Sequence, residues 1–210
     1  MSSKVSLASA LALVTLLTAG AAYAGEAERV KDFATPVVEL RSLPEKQMVE
    51  FQTGVLFKLS SESEADITLI ANHFVWEPHP HFVVPFGPGS ISLGPSWKVL
   101  ADFYAEGPEN YYLGLAGGPV LEYWLGDVTA FYLRPMGGFG MTNSAGEEGD
   151  GQGQDFTLNY ELEVGVRHEV MKDVTVSLSA YYQHFSNWGM SDYNIGYNQG
   201  GPMLGVSWSF

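Results

Sequence analysis

The chain contains no cysteine, few cations and only one long apolar run. With Cys 0, no disulfide framework holds the fold together. Lys and Arg total 10 against 24 Asp and Glu, a formal net charge of −14. Phosphate neutralisation needs clustered Lys and Arg, so this balance argues against a nucleic-acid partner. The long apolar run, Val5 to Leu17, is too short and wrongly flanked for a stable transmembrane helix. No later run approaches the roughly 18 apolar residues that would cross a bilayer as a helix.

That run has another reading. Lys4 supplies a positive start and Ala22-Tyr23-Ala24 an A-x-A cleavage site, so residues 1–24 read as a secretory signal with the mature chain starting near Gly25. The remaining 186 of 210 residues suit one domain. Residues 25–45, with Pro36 and Pro44, read as a periplasmic N-terminal segment, and 46–210 as the folded domain. Acidic stretches such as Ser61-Glu62-Ser63-Glu64 and Glu147-Glu148-Gly149-Asp150 lie between apolar runs and read as solvated loops.

What the chain has in quantity is glycine (24) and aromatic residues (13%), a mixture that favours β structure over a helical bundle. Periodicity is more decisive. From Asp155 to Val170, Phe156, Leu158, Tyr160, Leu162, Val164 and Val166 share one face, while Asn159, Glu161, Glu163, Arg167 and Glu169 share the other. This period-2 signal is longer than an ordinary soluble strand, and its polar face is charged. A lipid-embedded barrel turns the apolar face outward and pairs the charges inside. Similar segments at 47–59, 65–77, 91–104, 110–125, 128–142, 154–170, 174–187 and 202–210 make eight, an even number that closes an antiparallel barrel without an edge.

Pro95-Ser96 and Gly117-Gly118-Pro119 mark a bulge or bend within the third and fourth strands. Gly126-Asp127 and Met171-Lys172-Asp173 read as tight periplasmic turns, whereas 143–153 and 188–201 read as longer external loops. Residues 77–90 belong on the short-turn side although they are long. The last strand carries Leu204, Val206, Trp208 and a terminal Phe210 on one face, which resembles the C-terminal signature of bacterial outer-membrane barrels. The fold expected is therefore all-β, an eight-stranded antiparallel transmembrane β-barrel of the bacterial outer membrane.

At the end of the seventh strand, His184 and Ser186 continue the apolar face of Val176, Leu178, Ala180 and Tyr182. Residues i and i+2 of a strand are neighbours, so imidazole and hydroxyl can meet as base and nucleophile. They would point to lipid near the extracellular boundary, a poor place for a polar pair unless the substrate is itself a lipid. Alternatively, Tyr182, His184, Ser186 and Trp188 are interfacial anchors.

The stretch His184-Phe185-Ser186-Asn187-Trp188-Gly189, followed by Asn194-Ile195-Gly196 and a short final strand, resembles the C-terminal region of the outer-membrane lipid A 3-O-deacylases (PagL type). The motif covers about the last thirty residues of the chain. That family consists of eight-stranded barrels that remove the 3-hydroxyacyl ester at position 3 of lipid A. The resemblance implies Ser186 as nucleophile, His184 as general base, and the Asn187 side chain and Gly189 backbone amide as oxyanion donors. It implies lipopolysaccharide in the outer leaflet as partner and the outer membrane as location, with no metal or organic cofactor, and leaves a homodimer open.

The family's third triad member is a Glu, and the position of matching spacing here is Asn198. An amide can hold the imidazole but cannot stabilise its cation by charge, and it can turn and donate instead. Replacing the acid of a serine triad by its amide costs roughly ten-thousandfold. Asp192 is the nearest acid, within reach only if its loop folds back. Three readings stay open, in this order: a weaker hydrolase, a hydrolase with another third member, or a barrel that has lost activity.

His79-Pro80-His81 reads as a rigid turn rather than a metal site. His73 and His168 fall on apolar faces, at interfaces or against neighbouring side chains. Glu50, Lys58, Arg134, Glu161, Glu163, Arg167 and Glu169 read as the polar filling of a small barrel. The leading expectation is an outer-membrane serine esterase acting on lipid A. The alternative is a non-enzymatic small barrel serving adhesion or envelope integrity, and a narrow channel ranks third.

Overall fold

The computed structural model describes residues 46–210 except 62 and 127. The expected signal and the segment 25–45 lie outside the described residues. Among the described residues nine strands follow in order: β1 (Met48–Ser61), β2 (Thr68–Glu77), β3 (Phe82–Phe86), β4 (Gly89–Glu106), β5 (Tyr111–Leu125), β6 (Thr129–Thr142), β7 (Phe156–Met171), β8 (Val174–Ser186) and β9 (Tyr197–Ser209). Eight of them form the wall. The order β2-β1-β9-β8-β7-β6-β5-β4 is closed by a β2–β4 pairing, and all of these pairs are antiparallel. Closure satisfies every strand edge, as lipid requires.

The ninth strand is β3, within the long periplasmic connection of 77–90. It folds back on the start of β4 through the two-residue turn Gly87-Pro88, where Gly87 has a φ of 58°. Residues 79–81 lead into it without a hydrogen-bonded turn of their own, and the His81 N–H donates to the Leu93 carbonyl at 2.8 Å. The Pro- and Gly-containing stretches at 95–96 and 117–119 do not bulge. Pro95 faces Pro119 in an unbroken β4–β5 register, so two residues that lack a ladder donor oppose each other.

Burial alternates along the wall in the sense expected of a membrane barrel. In β7, Phe156, Tyr160, Leu162 and Val164 are exposed, whereas Thr157, Asn159, Glu161, Glu163 and Arg167 are buried. Buried charge is tolerable only when paired, and here it is. Arg134 reaches Glu163 at 2.7 Å, Glu50 at 3.2 Å and also Glu77. Arg167 reaches Glu77 and Glu122 at 2.9 Å. Lys98 lies 3.0 Å from Glu161 and 3.2 Å from Glu163. Lys58 and Glu169 are only half-buried.

His73 lies on an apolar face against neighbouring side chains, in line with one of the two sequence readings, and that face is the inner one. It faces the lumen, fully buried, with Nε2 3.0 Å from Asp102. The inward face of β2 is itself largely apolar (Leu69, Ala71, Val75), because the extracellular half of the lumen is packed with hydrophobic side chains. His168 remains on the outer face, with Nδ1 2.8 Å from the Thr129 hydroxyl.

Candidate functional site

Phe185 anchors the end of β8. Its side chain is fully buried, stacks on Tyr112 with ring centroids 4.8 Å apart, and meets Tyr197 edge-on at 5.3 Å. Because side chains alternate, burying Phe185 turns its neighbours His184 and Ser186 to the outer face.

The last strand completes the arrangement. It begins at Tyr197, five residues before the expected start at 202. Residues 197–201 read as part of the external loop in sequence, but Tyr197 packs inward on Phe185 and Asn198 pairs with His184 across β8 and β9. These contacts keep the stretch extended. The Asn198 side-chain oxygen lies 3.0 Å from His184 Nδ1. An amide oxygen only accepts, so in this contact Nδ1 carries the proton and Nε2 is left with its lone pair. Asp192 is solvent-exposed and forms no hydrogen bond with the ring.

Two further neighbours hold the imidazole. The Tyr160 ring, from β7, stacks on it at 4.7 Å and 25°. Gly196 packs so closely that a Cβ there would stand 2.9 Å from His184 Cε1. Neither role was assigned from the sequence, although Gly196 lies within the quoted motif. Ser186, half-buried, sits two residues beyond His184 on the same face. No hydrogen bond among the described residues joins its hydroxyl to the ring. Such contacts are often loose without substrate.

Asn187 and Gly189 are occupied within their own loop. Asn187 is fully buried, its Nδ2 donates to the Tyr193 carbonyl at 2.7 Å, and its Oδ1 accepts from Gly189 N–H at 2.9 Å. Between them Trp188 has a φ of 52°, followed by Gly189 at 74°. A bulky residue in the left-handed region is strained, and such strain clusters at functional sites.

The loop is tied to its neighbours. Gln152 donates its backbone N–H to Glu109 at 2.6 Å and its side-chain amide to the Ile195 carbonyl, and the Tyr197 hydroxyl also donates to Glu109 at 3.3 Å. Burial raises the Glu109 carboxyl above its ordinary pKa despite these hydrogen bonds.

Below the site, the outer wall carries a row of paired residues. From His184 it crosses Tyr160, Gly137, Gly117, Trp97, Trp76 and Val49 and returns to β9 at Trp208. Trp208 lies ten residues beyond Asn198, where the row began, so one circuit of the barrel shears the strands by ten residues. An apolar groove of about 730 Å³ follows this row from Gly137 to Trp208, floored by Gly117 and Gly137 and walled by Phe51, Phe74, Trp97 and Phe139.

The solved structures that resemble this barrel include the outer membrane enzyme PagL, with a TM-score of 0.52 and 13% identity over 75% of this chain and 97% of that one. Neisserial surface protein A (NspA) has the same TM-score and 10% identity over 81% of this chain and all of that one. These likenesses establish the fold, that of an outer-membrane β-barrel. Nothing in them supports a homodimer. No curated protein matches the chain by sequence. The family model described as lipid A 3-O-deacylase (PagL) matches residues 83–207, well over half of the chain and including His184, Ser186 and Asn198. The chain therefore belongs to the lipid A 3-O-deacylase (PagL) family.

Proposed function

We propose that the protein is a serine esterase that removes an ester-linked 3-hydroxyacyl chain from lipid A in the outer leaflet. The observation that carries this reading is His184, held through Nδ1 by Asn198 on the lipid-facing wall with Ser186 on the same face two residues away. Nε2 is then free to take the Ser186 proton as Oγ attacks the ester carbonyl. Collapse of the tetrahedral intermediate transfers that proton to the departing sugar oxygen and leaves an acyl-serine. Water, deprotonated by the same nitrogen, releases the fatty acid and restores the serine. No metal or organic cofactor enters this chemistry.

The oxyanion needs donors, and Gly189 N–H and Asn187 are the candidates beside Ser186. Their present partners lie within the loop, so the strained Trp188-Gly189 turn must shift for Gly189 N–H to pass from Asn187 Oδ1 to the substrate. The apolar groove below the site holds acyl chain. It lies on the wall that faces lipid, and its floor at Gly137 adjoins Tyr160, the residue stacked on His184.

The test is mass spectrometry of lipid A from cells expressing the wild type or Ser186→Ala. Loss of one hydroxyacyl chain with the wild type alone is expected. The same loss with Ser186→Ala would remove serine from the mechanism. A second reading, a barrel without turnover, is favoured by the neutral side chain at Asn198, and it predicts unchanged lipid A from both. Asn198→Glu then separates a missing charge from a missing site. Recovered deacylation would show that the rest of the site is competent.

A further inference from the structure

Two tyrosines beside the site have no part in the mechanism above. The Tyr182 hydroxyl donates to Asn198 Oδ1, the same atom that faces His184 Nδ1. The Tyr160 hydroxyl stands 3.1 Å from that of Tyr182, and the Tyr160 ring lies on the imidazole. Tyr160, Tyr182, Asn198 and His184 thus form a closed ring of contacts on the outer wall.

An amide in place of a carboxylate creates a problem of direction. With its oxygen toward His184, the proton sits on Nδ1 and Nε2 is a base. With its nitrogen toward His184, Nδ1 must accept, the proton moves to Nε2, and the ring cannot deprotonate serine. A carboxylate has only acceptors and faces no such choice. Tyr182 biases the choice, because a phenol is a strong donor and, with its lone pair drawn into the ring, a weak acceptor. It therefore pairs better with the amide oxygen than with the amide nitrogen. Tyr160 reinforces this by donating to the Tyr182 oxygen.

We propose that Tyr182, supported by Tyr160, is the positioning residue that keeps the Asn198 oxygen on His184 Nδ1 and so fixes the base-competent tautomer. The role rests on the Ser186/His184 reading and gives the neutral third member a means of working.

The experiment uses the full barrel refolded in detergent. Turnover of lipid A is measured for the wild type, Tyr182→Phe, Asn198→Glu and the double variant, and the imidazole ¹⁵N shifts of His184 are recorded at about pH 8, where an ordinary histidine is neutral. Loss of the locking hydrogen bond is expected to lower kcat about tenfold in the Asn198 protein with KM little changed. In the Asn198→Glu background the same substitution should change kcat by less than about twofold, because a carboxylate cannot turn into a donor. The ¹⁵N shifts should report Nδ1–H in the wild type and a substantial Nε2–H population in Tyr182→Phe.

Equal losses in both backgrounds, or a His184 tautomer indifferent to Tyr182, would overturn the proposal. Failure of the underlying reading looks different: turnover that survives Ser186→Ala, with the tautomer still responding to Tyr182. If the wild type shows no turnover, the ¹⁵N shifts alone decide.

Discussion

At the scale of single residues, the site depends on contacts a fraction of an ångström from failure. Gly196 is the sharpest case, since any Cβ there would meet the His184 ring at 2.9 Å. Gly196→Ala is expected to push the imidazole off Asn198 while leaving the barrel folded. Misplacement of a catalytic group by about 1 Å costs on the order of a hundredfold, so kcat for deacylation should drop by that order with an unchanged folded-barrel mobility on gels. Full activity would mean that the ring is free to move. The shared face of His184 and Ser186, and the parity of Asn198 with Leu204 and Trp208, could be read from period-2 alternation alone. The roles of Tyr160, Tyr182 and Gly196 could not, because they arise from neighbours on other strands or from close approach, which leaves no local signal.

At the scale of elements, the extracellular loops frame the end of β8. Asp150 accepts hydrogen bonds from the Ser63 hydroxyl at 2.8 Å and from the N–H groups of Glu64 and Ala65 at 2.7 and 3.0 Å, joining the β6–β7 loop to the β1–β2 loop. The Ser63 hydroxyl, above all, holds the Asp150 carboxyl below its ordinary pKa, with the Ala65 and Glu64 amides adding to the effect. A depressed carboxyl contributes fully above its unfolded value of about 3.9 and loses that contribution as pH falls through the lower folded value. The amide resonances of Glu64 and Ala65 should therefore hold steady at neutral pH and move only below about pH 4. In Asp150→Asn they should be displaced at neutral pH and lack that acid transition. An unchanged titration in the variant would mean that the latch is not electrostatic. These acidic stretches were recognisable as solvated loops, but which loop holds which was not, since nothing local to Asp150 points to a serine 87 residues away.

At the scale of the whole molecule, the barrel wall turns apolar side chains to lipid and holds its charges within, beside an apolar cluster in the extracellular half of the lumen. Arg134 stands at the centre of the interior, bonded to Glu50, Glu77 and Glu163. Arg134→Ala would leave these carboxylates facing one another with only Arg167 and Lys98 to offset them. Removing one partner of a buried ion pair costs about 3–5 kcal/mol, so the urea midpoint of the detergent-folded barrel should fall markedly. A midpoint within error of the wild type would mean that water, not protein, solvates these groups.

The sequence by itself determined the class of fold, the number of wall strands, which face of β7 meets lipid, and the two residues proposed as base and nucleophile. The first three follow from alternation, which is a property of one strand at a time, whereas the roles of His184 and Ser186 come from the resemblance of the C-terminal motif to the lipid A 3-O-deacylases. Tertiary structure decided the rest. It lengthened the last strand back into the expected loop, because Tyr197 and Asn198 find partners on β8. It brought His73 into the lumen beside Asp102, and it set the ten-residue shear that leads the apolar groove from the periplasmic tryptophans up to Gly137, the cross-strand partner of Tyr160. Register and closure arise from the sum of contacts across all eight wall strands, and no single strand encodes them.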